Sequence, residues 1–146
     1  MSEEKHYILY VDDSEDDVIM ARRAFKKSNL ATAIVTLSDG QECIDYIFAE
    51  GDFEGEAHSL PMVILLDLNM PRVDGFEVLE YLRSHEETKN IPIVVLTTSD
   101  AKNDISKAYE LGANSFITKP LKTEDFFSTI VDINMYWSVH NKINSD

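Results

Sequence analysis

The chain has 146 residues, 44% of them hydrophobic, enough to bury one core, and this argues against general disorder. Its 13 basic residues stand against 27 acidic ones, a formal net charge of −14, so it lacks the broad positive surface that nucleic acid or an anionic membrane selects. Cys43 is the only cysteine, which excludes an internal disulfide. No long apolar run or secretory leader is present, so a cytoplasmic protein is expected.

Residues 7–11, YILYV, predict a first strand that stops at Asp12 and Asp13. A helix follows over 15–28, with Ser14 as its N-cap, acids in its first turn and Val18, Ala21 and Phe25 at helical spacing. AIVTL at 33–37 is the second strand, and Asp39-Gly40 opens a helix over about 41–49 in which Cys43 is a small buried residue. Residues 50–60 carry two glycines and no apolar period, and predict a loop. MVILL at 62–66 is the third strand. The helix over 74–85 carries Phe76, Leu79 and Leu82 on one side, and HEETKN is a polar connection. IPIVVLT at 91–97 is apolar throughout, as expected of a strand covered on both faces. The fourth helix spans about 101–111, with Ile105 and Ala108 inward, Tyr109 a further candidate and Gly112 at its C-terminal cap. SFIT at 115–118 is a short strand ending at Lys119-Pro120, and the last helix spans about 123–138.

Strand then helix, five times over, predicts an α/β fold with parallel strands and helices on both faces. Without a GxGxxG motif, a flavodoxin-like (βα)5 three-layer sandwich, its five strands ordered 2-1-3-4-5, fits better than a dinucleotide-binding fold. The chain reads as one domain over 1–146, with a core of about 6–138 and a short C-terminal extension, 139–146.

On such a sheet, ligands sit beyond the C-terminal strand ends. The first strand delivers Asp12 and Asp13 there, the third Asp67, the fourth Thr97 and Thr98, and the fifth Lys119. Grouped carboxylates repel unless a cation lies among them, and oxygen donors without cysteine or histidine favour Mg2+, with Mn2+ a substitute. An aspartate can be a nucleophile towards phosphorus, while lysine and threonine can bind phosphoryl oxygens. The site therefore reads as one that accepts a phosphoryl group on Asp67. Singly, each residue has a bland reading: a helix cap for Asp12 or Asp13, a strand position for Thr97, a surface charge for Lys119. Their joint placement at four strand ends favours the chemical one. Asp16, Asp17, Asp39, Asp45, Glu86 and Glu87 are read as caps or solvated surface. His6, His58, His85 and His140 show no ligand spacing.

VDDSEDD at 11–17, LLDLNMPRVDGFEVL at 65–79, IPIVVLTTS at 91–99 and LGANSFITKP at 111–120 together resemble the receiver domain of bacterial response regulators. The resemblance covers nearly the whole chain. It implies that Asp67 is the phosphoacceptor, that Asp12, Asp13, Asp67 and the Asn69 main-chain carbonyl hold magnesium, and that Lys119 pairs with the phosphoryl group. It further implies a switch in which Thr97 follows that group and Phe116 swings inward, and often a cis Lys119-Pro120 bond. Thr98 departs mildly, since smaller residues are common there. A finer resemblance, to small single-domain regulators paired with bacterial phytochromes, rests on LNMPR, VVLTTS, the ILY of the first strand and the Tyr136-Trp137 pair.

The resemblance implies a stand-alone two-component switch with its own self-phosphorylation and dephosphorylation chemistry, not a turnover enzyme. Its donor would be a sensor histidine kinase, of phytochrome type in the finer resemblance, and its output a downstream phosphotransfer or effector protein, with no direct nucleic acid or membrane partner. The last helix carries more apolar residues than one sheet-facing stripe needs, so Tyr136 and Trp137 either cap the domain or anchor a homodimer. Two rivals fit less well. Haloacid-dehalogenase-like phosphatases place a second aspartate where Asn69 stands, and a phosphorylation-free adaptor would lack the complete set of site residues.

Overall fold

The computed structural model describes residues 6–56 and 58–142. Part of the expected extension, 143–146, and the first five residues lie outside the described residues. The chain alternates as expected: β1 (Tyr7–Val11), α1 (Glu15–Ser28), β2 (Ala33–Leu37), α2 (Gly40–Phe48), β3 (Val63–Leu66), α3 (Gly75–Arg83), β4 (Ile93–Thr97), α4 (Lys102–Glu110), β5 (Ser115–Thr118) and α5 (Thr123–Met135). The strands form one parallel sheet in the order β2-β1-β3-β4-β5.

Every residue of β1, β3 and β4 is buried, which explains their unbroken apolar runs. One core cluster joins alternate strand residues such as Leu9, Ile64 and Val95 to Cys43, Val78, Leu79, Leu82 and Ala108 of α2, α3 and α4. The other joins Ile8, Leu65 and Leu96 to Ala21 and Phe25 of α1 and Phe126 and Ile130 of α5. Period-two alternation therefore feeds both faces, each fully buried large side chain contributing roughly 1.5–3 kcal/mol of transfer free energy. Burial, with a smaller effect of nearby Asp39, pushes the Cys43 thiol up to about 12, which leaves it unreactive.

The helix starts follow the expected cap chemistry. Ser14 accepts the Asp17 N–H, Asp39 accepts the Glu42 N–H, and Asp74 forms a reciprocal capping box with Glu77.

Three local expectations are corrected. Tyr109 is 48% exposed, because only Ala108 of α4 is fully buried and the helix has too narrow an apolar face to take the tyrosine. The 50–60 loop contains a 3-10 turn, Gly51–Phe53, whose Phe53 packs edge-on against Tyr46 and so joins the core. The last helix is not α-helical to 138. It passes into a π turn, Tyr136–His140, closed by the Asn141 N–H donating to Tyr136 O at 2.6 Å. The Ser138 hydroxyl donates to the buried Asn134 side chain at 2.6 Å, and the turn sets Trp137 against the α1–α5 core while Tyr136 and Val139 face outward.

Candidate functional site

The sheet ladder carries the site residues to one edge. The Asp12 N–H donates to Leu37 O at 3.0 Å, the Asp67 N–H to Val11 O at 3.0 Å and the Lys119 N–H to Thr97 O at 2.6 Å. Each pairing continues the parallel ladder one step past a strand, so residues far apart in sequence become neighbours. Gly75 lets the start of α3 sit on this edge: a Cβ there would lie 2.3 Å from Asp67 O and 2.7 Å from Leu68 Cα. Any larger residue at 75 would push the Asp67 main chain aside.

Oxygen atoms of Asp12, Asp13 and Asp67 lie within 4.8 Å of one another. Asp12 and Asp67 are buried and Asp13 is exposed, so the trio opens to solvent on one side. The Lys119 amine donates to Asp12 Oδ2 at 2.6 Å and Asp17 Oδ2 at 2.8 Å, and stands 3.6 Å from Asp67 Oδ2. Asp12 is held from three sides, since its Oδ1 also accepts the Ser14 N–H at 2.9 Å and its Oδ2 the Tyr10 hydroxyl. The Thr97 hydroxyl is buried and has no hydrogen-bond partner among the described residues.

Burial pushes the Asp67 carboxyl above the usual carboxylate range; Lys119 opposes that shift and Asp12 adds to it. Burial works against the Lys119 charge, but the hydrogen bonds it donates to Asp12 and Asp17 and the field of Asp12 and Asp67 outweigh it and raise its pKa. Burial, then Asp12, keeps the Tyr10 phenol protonated as a donor.

A buried carboxylate pushed up by burial and a second carboxylate, beside a third and one lysine, is a site short of positive charge. Its hard oxygen donors fit a divalent cation such as Mg2+ or Mn2+. The unpartnered Thr97 hydroxyl fits a further acceptor arriving beside Asp67.

The structure thus brings together Asp12, Asp13, Asp67, Thr97 and Lys119 as the sequence predicts. Asn69 is exposed two residues beyond Asp67, its N–H 3.5 Å from Asp67 Oδ1. Phe116 stands apart from the carboxylates on β5, paired with Val95 and half-buried on the α3–α4 side. Thr98 is exposed. No peptide bond among the described residues is cis, Lys119-Pro120 included; Lys119 follows directly from its ladder bond to Thr97 and needs no reversal of the chain.

Sequence reasoning missed two residues. Tyr10 reads in the sequence as strand filling, although its spacing of two from Asp12 puts both on one face. Asp17 reads in the sequence as a cap or surface acid, yet it shares the lysine.

Residues 8–131 match the response regulator receiver domain family. The chain belongs to this family. The probable methanogenesis regulatory protein FilR2 of Methanothrix harundinacea is 38% identical over 141 residues, covering 97% of this chain and 89% of FilR2. Response regulator Rcp1 of Synechocystis is 35% identical over 130 residues, 89% of this chain and 87% of Rcp1. The crystal structure of Mn2+-bound Rcp1 matches with a TM-score of 0.88 at 33% identity, covering 96% of this chain and 99% of that one. The phosphorylated cyanobacterial phytochrome response regulator RcpA matches with a TM-score of 0.88 at 34% identity, over 97% and 99% of the two chains. Receiver domains are phosphoacceptor signalling modules, and the flavodoxin-like sheet and divalent-cation donor set of this receiver agree with that role.

Proposed function

We propose that this receiver takes a phosphoryl group on Asp67 from a phosphohistidine of a sensor histidine kinase. The carrying observation is the convergence on Asp67 of Lys119, two further carboxylates and the buried Thr97 hydroxyl. An Asp67 oxygen attacks phosphorus, the bond from phosphorus to imidazole nitrogen breaks, and its electron pair stays on that nitrogen. Asp12, Asp13, Asp67 and the Asn69 carbonyl would hold a divalent cation, which would supply charge neutralisation at the phosphoryl oxygens. Lys119 shares that task from the other side. Water later attacks phosphorus, releases phosphate and restores the carboxylate, so the domain resets as a switch without turning over a substrate.

The new phosphoryl oxygens offer the Thr97 hydroxyl the acceptor it lacks. Its movement, with that of half-buried Phe116 on β5, is the proposed route from site to surface, a shift between two populated states. The intact protein incubated with Mg2+ and acetyl phosphate is expected to gain one phosphoryl group by mass. No adduct from any donor would overturn the assignment.

Similarity to the cyanobacterial phytochrome response regulator RcpA supports a phytochrome-type kinase as donor. A groove of about 560 Å³ between α1 and the β5–α5 segment borders Lys119. Leu121 and Ile19 line it, 99% and 48% exposed, an apolar footing for a partner that must reach Asp67. Leu121→Asp is expected to slow transfer from the kinase roughly tenfold, a loss within the range of interface substitutions. Labelling by acetyl phosphate should not change, and equal losses with both donors would exclude the groove as docking surface.

Residues 1–146 work in this reading as one receiver, with its core over about 6–138 and an extension from 139 onward. Output passes by contact or onward phosphotransfer in the cytoplasm. No helix among the described residues is long and apolar enough to cross a membrane. Homodimerisation through the last helix is supported by Met135, Tyr136 and Val139, which are 38%, 52% and 54% exposed. Tyr136 also lines a cavity of about 590 Å³ beside the edge strand β5. Sedimentation velocity should show a dimer that Tyr136→Asp converts to monomer; a wild-type monomer at high concentration would exclude it.

A further inference from the structure

The Lys119 amine sits closer to an acid outside the cation-binding trio than to Asp67. It is 2.8 Å from Asp17 Oδ2 and 3.6 Å from Asp67 Oδ2. An ammonium group has three protons, and here two are committed, to Asp12 and Asp17. Only the third remains for Asp67.

We propose that Asp17 is a positioning residue that holds the Lys119 amine off Asp67 in the resting receiver and so restrains phosphoryl transfer, an inference that rests on Asp67 being the phosphoacceptor. The α1 helix does not need this acid. Its N-cap is Ser14, whose hydroxyl already accepts the Asp17 N–H, and Glu15 and Asp16 already place negative charge in the first turn. Asp16 is exposed, whereas the Asp17 side chain is 31% exposed and turned across to the end of β5.

The difference between the acids around the lysine matters. Asp12 and Asp67 belong to the trio that can share a cation, and Asp17 does not. Its hold on the amine is therefore not diluted when the trio is neutralised. A fixed negative charge also remains beside the path of an incoming anion. Partial exposure keeps the bond weak enough to break, so the lysine can complete its move once phosphoryl oxygens compete for it.

Three variants test this: Asp17→Asn removes the charge at nearly constant shape, Asp17→Glu restores it, and Asp16→Asn removes the same charge from the same helix turn without touching the lysine. The first readout is the NMR signal of the Lys119 side-chain amine, without metal or phosphoryl donor. It is expected to move in Asp17→Asn, stay in Asp16→Asn, and return towards wild type in Asp17→Glu. The second is the rate of labelling by acetyl phosphate at saturating Mg2+. It is expected to rise about three- to tenfold in Asp17→Asn alone, the scale of a partly solvated charge-assisted hydrogen bond. An unmoved amine signal, a rate at or below wild type, or an equal rise in Asp16→Asn overturns the proposal. If the wild-type protein takes no phosphoryl group, the Asp67 assignment fails and the restraint with it, while the amine signal separately shows whether Asp17 holds Lys119.

Discussion

Asp67→Asn should abolish phosphoryl uptake and, in metal-free buffer at neutral pH, make the protein more stable than wild type. The first effect follows because a carboxamide offers phosphorus no comparable nucleophile and gives the trio a neutral donor in place of a charged one. The second follows from the cost of keeping Asp67 charged. Burial raises its pKa, Lys119 opposes this and Asp12 reinforces it, with the net direction upward. A carboxyl whose folded pKa exceeds its unfolded value folds more easily protonated. Stability is full below the unfolded pKa and is lost as pH rises through the folded one. Asparagine, nearly the same shape, removes that loss. Denaturant melts with chelator present should place the variant about 1 kcal/mol above wild type at pH 7, a typical single-site scale. The gap should close below roughly pH 4, where the wild-type carboxyl is protonated in both states. An adduct still found on the asparagine variant would falsify Asp67 as phosphoacceptor, whatever the melts show.

Why this carboxylate was legible in the sequence, and its neighbours less so, follows from topology. Parallel strands turn positions in one chain into a shared edge, so four apolar runs ending at Asp12, Asp67, Thr97 and Lys119 imply a cluster before any coordinate is known. The residues that tune the cluster are not marked this way. Asp17 stands among three consecutive acids in the first turn of α1, where capping and the helix dipole account for acidic composition without distinguishing one acid from another. Only the packing of α1 against the end of β5 shows which of them meets the lysine. Tyr10 was hidden by its apolar ring within an apolar strand; the alternation that pairs it with Asp12 is a signal in the sequence, but the depth of burial that makes its hydroxyl matter is not. At the C-terminus the apolar period runs on through Trp137, so periodicity predicts one helix. The shift to a π turn depends on how Asn134, buried among its neighbours, meets Ser138.

Lys119→Met should be the most destabilising single change at the site, by about 3 kcal/mol in metal-free buffer, because it strands buried Asp12 without its cation. The loss falls at the low end for a broken buried pair, since Tyr10 and Ser14 still donate to Asp12. The lysine's own linkage has the same sign. Burial opposes its charge, but Asp12, Asp17 and Asp67 together raise its folded pKa above the unfolded value. Its stabilisation is therefore full below the unfolded pKa of roughly 10.4 and is lost only as pH climbs through the folded one. The deficit of the methionine variant should stay constant from neutrality to about pH 10 on that account. Mg2+ should narrow it: ten times the dissociation constant stabilises any binding-competent receiver by about 1.4 kcal/mol, and the variant should bind more tightly because no ammonium competes for the carboxylates. Labelling by acetyl phosphate should nevertheless fall roughly 100-fold even when Mg2+ has restored stability, the usual cost of removing one preorganised donor to developing charge. A variant that Mg2+ neither stabilises more than wild type nor leaves slow would mean that Lys119 is an ordinary buried ion-pair partner. Restored stability with slow labelling means that its positive charge is replaceable for folding and not for chemistry, which is what an amine poised between Asp12, Asp17 and Asp67 should show.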